Sequence, residues 1–116
     1  MNKNKKWSIW IADLEPVVGS EQGKRRPVLV ISETELNELL PVINVIPITS
    51  RNPNRRIYPN EVLLQPDYGL INESIVLCFQ IRTLDKSRLS RYLGNIQSEN
   101  YQNEIIEALK FQLGID

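Results

Sequence analysis

Histidine is absent from this chain of 116 residues, and cysteine occurs once, as Cys78. Histidine is the usual general base at neutral pH and the commonest protein metal ligand. Its absence excludes a Ser-His-Asp triad, a histidine-bound zinc hydrolase and a histidine-based ribonuclease. A lone cysteine excludes an internal disulfide and a cysteine metal cluster. Set within SIVLCFQI, it reads as a buried thiol rather than a nucleophile. No apolar run approaches the roughly 20 residues that span a bilayer. The basic opening, MNKNKK, meets Asp13 and Glu15 too soon for a secretory signal, so a cytoplasmic protein is expected. An excess of one charge is also lacking, since 14 Lys and Arg balance 14 Asp and Glu. A strong global field for nucleic acid is therefore not expected. The distribution is less even: Lys24, Arg25, Arg26, Arg51, Arg55 and Arg56 fall in two short loops, while Glu99, Glu104 and Glu107 lie near the end. Phosphate contact depends on that local charge rather than on the sum.

Repeats and linkers are missing as well, so residues 1–116 are read as one domain. WSIWIADL (7–14) is aromatic and β-branched and predicts a first strand. PVLVIS (27–32) is a short continuous apolar run, the pattern of a strand covered on both faces. ETELNELL (33–40) predicts one or two helical turns covering the sheet through Leu36, Leu39 and Leu40, with Ser32 or Thr34 as cap. VINVIPITS (42–50) predicts a strand in which Pro47 marks an edge or a bulge just before Thr49. RNPNRRIYPN (51–60) predicts an exposed, mobile loop. EVLLQ (61–65) and SIVLCFQIRTL (74–84) read as a short and a long strand. DKSRLSRYLG (85–94) reads as a short helix ended by Gly94, and SENYQNEIIEALKFQL (98–113) as the clearest helix, capped by Ser98. The strand spacings are too short for repeated crossover helices. An α+β, mainly β fold follows, a strongly bent antiparallel sheet with helices at its rim.

The strongest local clue is PVVGSEQGKRRPVLVIS (16–32). Gly19 and Gly23 let the backbone turn freely. Pro27 forces Arg26 into an extended conformation, so a permanently charged fork stands on a stiff mount at the start of a buried strand. Such a fork suits a phosphate. Glu21 folds back toward the same place or pairs with the arginines on the surface. The hydroxyls of TSR (49–51) are either turn formers or ligands, and spacing alone does not join the two groups in space.

The stretches IWIADLEPVVGSEQGKRRPVLVIS, VIPITS and SIVLCFQIRTLDKSRLSRYLGNI together resemble the MazF/PemK family of toxin endoribonucleases, in order and over nearly the whole chain. The resemblance implies a small SH3-like barrel, a homodimer, single-stranded RNA as substrate without a metal or other cofactor, and neutralisation by a MazE-like antitoxin. It implies that Arg26, immediately before the proline of the second strand, and Thr49, at the end of the third, are catalytic. Glu21 is the candidate acceptor of the 2′-hydroxyl proton. Ser20, Gln22, Lys24, Arg25, Ser50, Arg51 and Gln80 are expected along the RNA, and Arg82 either there or bracing the fold. RNA carries its own nucleophile, so the protein need only align it and manage charge and protons.

Two departures stand out. Relatives usually carry glycine where this chain has Trp7, and many carry an acid where it has Phe79. Phe79 either stacks on an unpaired base or packs in the core or a dimer contact. Trp7 and Trp10 face opposite sides of a strand, with Trp10 read as core. The stripe of Tyr101, Ile105 and Leu109 covers the sheet and is a candidate extension of a dimer interface. Two other function classes stay open at this point: a CcdB-like gyrase poison on the same scaffold, and a homologue that binds RNA or antitoxin without cutting.

Overall fold

The computed structural model describes residues 4–116, so the first three residues of the basic opening lie outside the described residues. Period-two alternation builds the sheet. Strands β1 (Ser8–Asp13), β2 (Arg25–Val30) and β3 (Val42–Ser50) pair antiparallel in sequence order. Their side chains alternate between two cores. Ile9, Leu29, Ile46 and Ile48 face one, whereas Trp10, Ala12, Val28, Val30 and Val45 face the other. Val28, Leu29 and Val30 are all fully buried, as the continuous run PVLVIS predicted. β4 (Glu61–Leu64), β5 (Ser74–Leu77), β6 (Arg82–Asp85) and β7 (Leu89–Asn95) complete a sheet ordered β4-β5-β3-β2-β1-β7, with β6 paired to the first half of β3. The fold is α+β and mainly β, as expected. No helix among the described residues is long and apolar enough to cross a membrane.

Two readings of single elements are corrected. SIVLCFQIRTL is not one strand: a 3-10 turn at Cys78–Gln80 divides β5 from β6. The segment 85–94 is not a helix. Only Lys86–Arg88 makes a helical turn, started by Asp85 accepting from the Ser87 amide at 2.9 Å, and the rest is β7. Pro47 does not mark an edge, because β3 is central. The proline stands between the part of β3 that pairs with β6 (Val42–Val45) and the part that pairs with β5 (Ile48–Ser50), where a missing N–H removes no ladder bond on that side.

Helix α1 (Thr34–Leu39) also differs from expectation. Its leucines do not cover the sheet, and Leu39 is 79% exposed. The buried residue is Asn37, 1% exposed and fully bonded: its amide nitrogen donates to Asn4 O and Ser32 O, and its oxygen accepts from the Ser32 hydroxyl at 2.5 Å. Neither Ser32 nor Thr34 caps the helix. The Thr34 hydroxyl instead accepts from the Lys6 amide at 3.1 Å. Helix α2 (Glu99–Leu113) matches its prediction, with Ser98 accepting from the Tyr101 amide and Gly114 closing it in the left-handed region. Ile105, Ala108 and Leu109 bury against the first core, so that stripe belongs to the protomer rather than to an exposed interface.

Trp7 holds a φ of 75°, a conformation that favours glycine. Its amide donates to Val30 O at 2.8 Å and its ring packs on the first core, which holds the indole in place.

The loop 51–60 is exposed but braced. Arg51 pairs with Glu73 at 3.3 Å and donates twice to Arg55 O. Arg55 forks onto Glu61, 3.0 and 2.7 Å from its two oxygens. Glu61 is 6% exposed. Burial alone would raise its carboxyl, but the Arg55 guanidinium and the Tyr58 amide outweigh that and hold it below the ordinary range. A depressed folded value means that the stabilisation is complete above the unfolded carboxyl near about 4.3 and is lost as pH falls through the folded one. Glu61→Gln is therefore expected to cost about 3 kcal/mol in urea denaturation at pH 7, with the gap narrowing in acid. Equal stability at pH 7 would show that the pair is only ornamental.

Candidate functional site

The site forms where β2 and β3 part. Their ladder has its last rung at Val28 and Pro47. Carrying the same register two residues further sets Arg26 opposite Thr49, beyond the last rung, while β3 continues along β5 through Thr49 and Ile75. The space between is a groove of about 290 Å³ whose lining includes Arg25, Arg26, Thr49, Ser50 and Arg91. Arg26 is extended, as Pro27 dictates, and is held in line by Ala12 across from it on β1. Its Nε donates to Gly23 O at 2.9 Å, which fixes the stem and leaves both terminal nitrogens without a partner among the described residues. No aspartate or glutamate lines the groove.

The turn at 69–72 also lines the groove. Gly69, with φ 85°, lies flush on β7, where a Cβ would strike the Leu93 carbonyl. A Cβ on Gly94 would strike the Tyr68 carbonyl in the same way. Gly94 thus serves close approach and not the end of a helix.

Ser20, Glu21 and Gln80 line a separate hollow with Phe79 and Arg82. There Gln80 clamps the loop, accepting from the Gln22 amide at 2.8 Å and donating to Ser20 O at 3.1 Å. Glu21 has not folded back toward Arg26; its carboxylate accepts from the Val18 amide. The Gln22 side-chain oxygen is buried and has no hydrogen-bond partner among the described residues. Below the loop, Arg82 donates to Leu14 O at 3.3 Å, and Arg88 donates to the carbonyls of Asp13 and Glu15. Arg82 therefore braces the fold.

The sequence-predicted residues divide accordingly. Arg25, Arg26, Thr49 and Ser50 share the groove. Ser20, Glu21 and Gln80 share the neighbouring hollow, and Gln22 is tied to it through its amide. Lys24 is exposed outside both, in the left-handed region at φ 64°. Arg51 is turned into its own loop by Glu73 and the Arg55 carbonyl. Phe79 is 40% exposed, so it is not core in the protomer. Cys78 is buried, and burial pushes its thiol up to about 12, which leaves it neutral and unreactive at physiological pH.

Arg91 was missed. It lines the groove from β7, within the segment 85–94 that was expected to be a helix ended by Gly94. The signal that finds it is pairing: Ile11 faces Pro27 on one side and Arg91 on the other.

Guanidiniums, hydroxyls and apolar walls in one groove, with no carboxylate to compete, make a receptor for an anionic chain. The family described as PemK-like, MazF-like toxin of type II toxin-antitoxin system matches residues 5–113. Among solved structures, MazF from Deinococcus radiodurans is 30% identical, with a TM-score of 0.81 and 96% of each chain covered. The Mycobacterium tuberculosis toxin MazF-mt6 is 27% identical, with a TM-score of 0.78, over 94% of this chain and 98% of that one. An endoribonuclease from a mycobacterial species, solved in complex with its cognate antitoxin, is 25% identical with a TM-score of 0.78, over 97% of this chain and 96% of that one. This chain belongs to the PemK-like, MazF-like family of toxins of type II toxin-antitoxin systems.

The loop clamp is directly testable. Gln80→Ala removes two hydrogen bonds of about 1 kcal/mol each, so trypsin should cut after Lys24 or Arg25 roughly 30-fold faster. An unchanged cleavage rate would mean that the loop is held by other contacts.

Proposed function

We propose that this protein is a sequence-selective, metal-independent endoribonuclease and the toxin of a toxin–antitoxin pair, acting on single-stranded RNA in the cytoplasm. The observation that carries the reading is that Arg26 and Thr49, 23 positions apart in sequence, line one groove. The RNA 2′-oxygen attacks the adjacent phosphorus; the new P–O bond closes a 2′,3′-cyclic phosphate as the bond to the 5′-oxygen breaks. The terminal nitrogens of Arg26 stabilise the charge that builds on the phosphoryl oxygens, and Thr49 donates to a non-bridging oxygen. The 5′-oxygen leaves with its electron pair, is held by Arg26 and takes its proton from solvent, giving a 5′-hydroxyl. The groove itself holds no carboxylate. Glu21, on the adjoining loop, is the acceptor we assign for the 2′ proton, exchanging the Val18 amide for the substrate hydroxyl.

Ser20 and Gln80 border the strand next to the groove, and Arg25 and Ser50 contact it within. A homodimer and an antitoxin partner complete the reading. The mycobacterial relative is an endoribonuclease bound to its cognate antitoxin. The exposed Leu36, Leu39, Leu40 and Val42 are an apolar surface for such a contact.

Purified protein should cut a mixed-sequence RNA in EDTA, and Arg26→Ala should lower kcat by about 100- to 1,000-fold. Undiminished cutting by that variant would remove the assignment of Arg26. Glu21→Gln should lower kcat by roughly 100-fold while RNA still binds. Retained kcat in that variant would take the base role away from Glu21.

A further inference from the structure

We infer that Arg91 is a second phosphate anchor, holding the RNA backbone at a phosphate other than the one attacked. The inference rests on the endoribonuclease reading and adds a subsite to it. The chain has eight arginines. Five have protein acceptors: Arg26, Arg51, Arg55, Arg82 and Arg88. The side chains of Arg25, Arg56 and Arg91 make no hydrogen bond or ion pair among the described residues, and two of these three, Arg25 and Arg91, converge on the groove. Arg56 lies outside it.

A guanidinium normally finds a carboxylate or carbonyl when one is near. Here the nearest acid along the rows, Asp13, accepts from the Glu15 amide through its carboxylate, and no acid lines the groove. Two of the three unpaired arginines thus share this one surface, where no acid competes for them.

Register fixes the separation. Arg91, Ile11 and Pro27 form one cross-strand row. Arg91 therefore stands two strand spacings from β2, about 10 Å. Mounted that far apart, the Arg26 and Arg91 guanidiniums suit two neighbouring phosphates of one strand rather than a single shared one. A strand whose reacting phosphate lies between Arg26 and Thr49 must cross β1 over Ile11 to bring another phosphate to Arg91. A backbone contact fixes register without reading bases. Its loss should weaken binding alike on every sequence.

The test uses a mixed-sequence single-stranded DNA of 20 nucleotides, which lacks the nucleophile and stays uncut, titrated at 50, 100 and 200 mM salt. Arg91→Ala should weaken binding several-fold at 50 mM and make the slope of log K against log salt shallower by about 0.7, the value for one single-strand phosphate contact. Arg91→Lys should restore most of the slope, and Arg56→Ala should leave it unchanged. On a cleaved RNA, the Arg91→Ala loss should fall on KM more than on kcat. A wild-type slope in Arg91→Ala, in a protein that binds the strand and loses cleavage with Arg26→Ala, overturns the Arg91 subsite alone. A wild-type protein that neither binds the strand nor cuts RNA overturns the endoribonuclease reading and the subsite with it.

Discussion

The ladder between β2 and β3 ends at Val28 and Pro47, and β3 then takes β5 as its partner. Arg26 and Thr49 stay in register past that last rung but are separated by open space instead of hydrogen bonds. Pro47 suits the change of partner because it has no N–H to leave unsatisfied. The groove is therefore a consequence of strand geometry and not of a long flexible loop. Its two polar groups stand on strands whose neighbouring residues, Val28 and Ile48, are buried. Such mounts hold a site more tightly than loop tips do.

Charge is arranged to match. The chain is neutral in total, so nothing at long range favours a polyanion. Elsewhere four of the five arginines are bonded to Glu73, Glu61 or backbone carbonyls, and they brace loops. At the groove they are left open, and no carboxylate stands among them. Repulsion among those cations is relieved when a phosphate enters. Binding should thus be governed by contact and by local salt screening within about 8 Å, the Debye length at physiological ionic strength.

Much of this architecture was legible in the residues. Continuous Val, Leu and Ile gave β2 and β3, Ser98 and Gly114 bounded α2, and Pro27 fixed the backbone of Arg26. The failures have physical causes. In β7 the residues Leu89, Tyr92 and Leu93 mimic helical spacing because the pairing with β1 shifts register twice, between Ile9 and Trp10 and again between Ile11 and Ala12. Bulges of that kind erase period-two alternation. In α1 a leucine pattern suggested burial, yet the inward residue is an asparagine whose bonds to Ser32 and Asn4 O hold the helix down. The long strand 74–84 broke at Cys78 because nothing local announces a 3-10 turn within an apolar run. The meeting of Arg26 with Thr49 depended on a hairpin register set by residues 31–43. Only the family resemblance anticipated it.

A double-mutant cycle tests the shared groove most directly, with kcat measured for Arg26→Ala, Thr49→Val and the double variant on one RNA. Two donors that act on the same transition state as a unit are strongly non-additive. The double variant should then be slower than Arg26→Ala by a few-fold at most, although Thr49→Val alone costs far more. Losses that multiply would contradict the account, because the guanidinium and the hydroxyl would then be acting independently of one another.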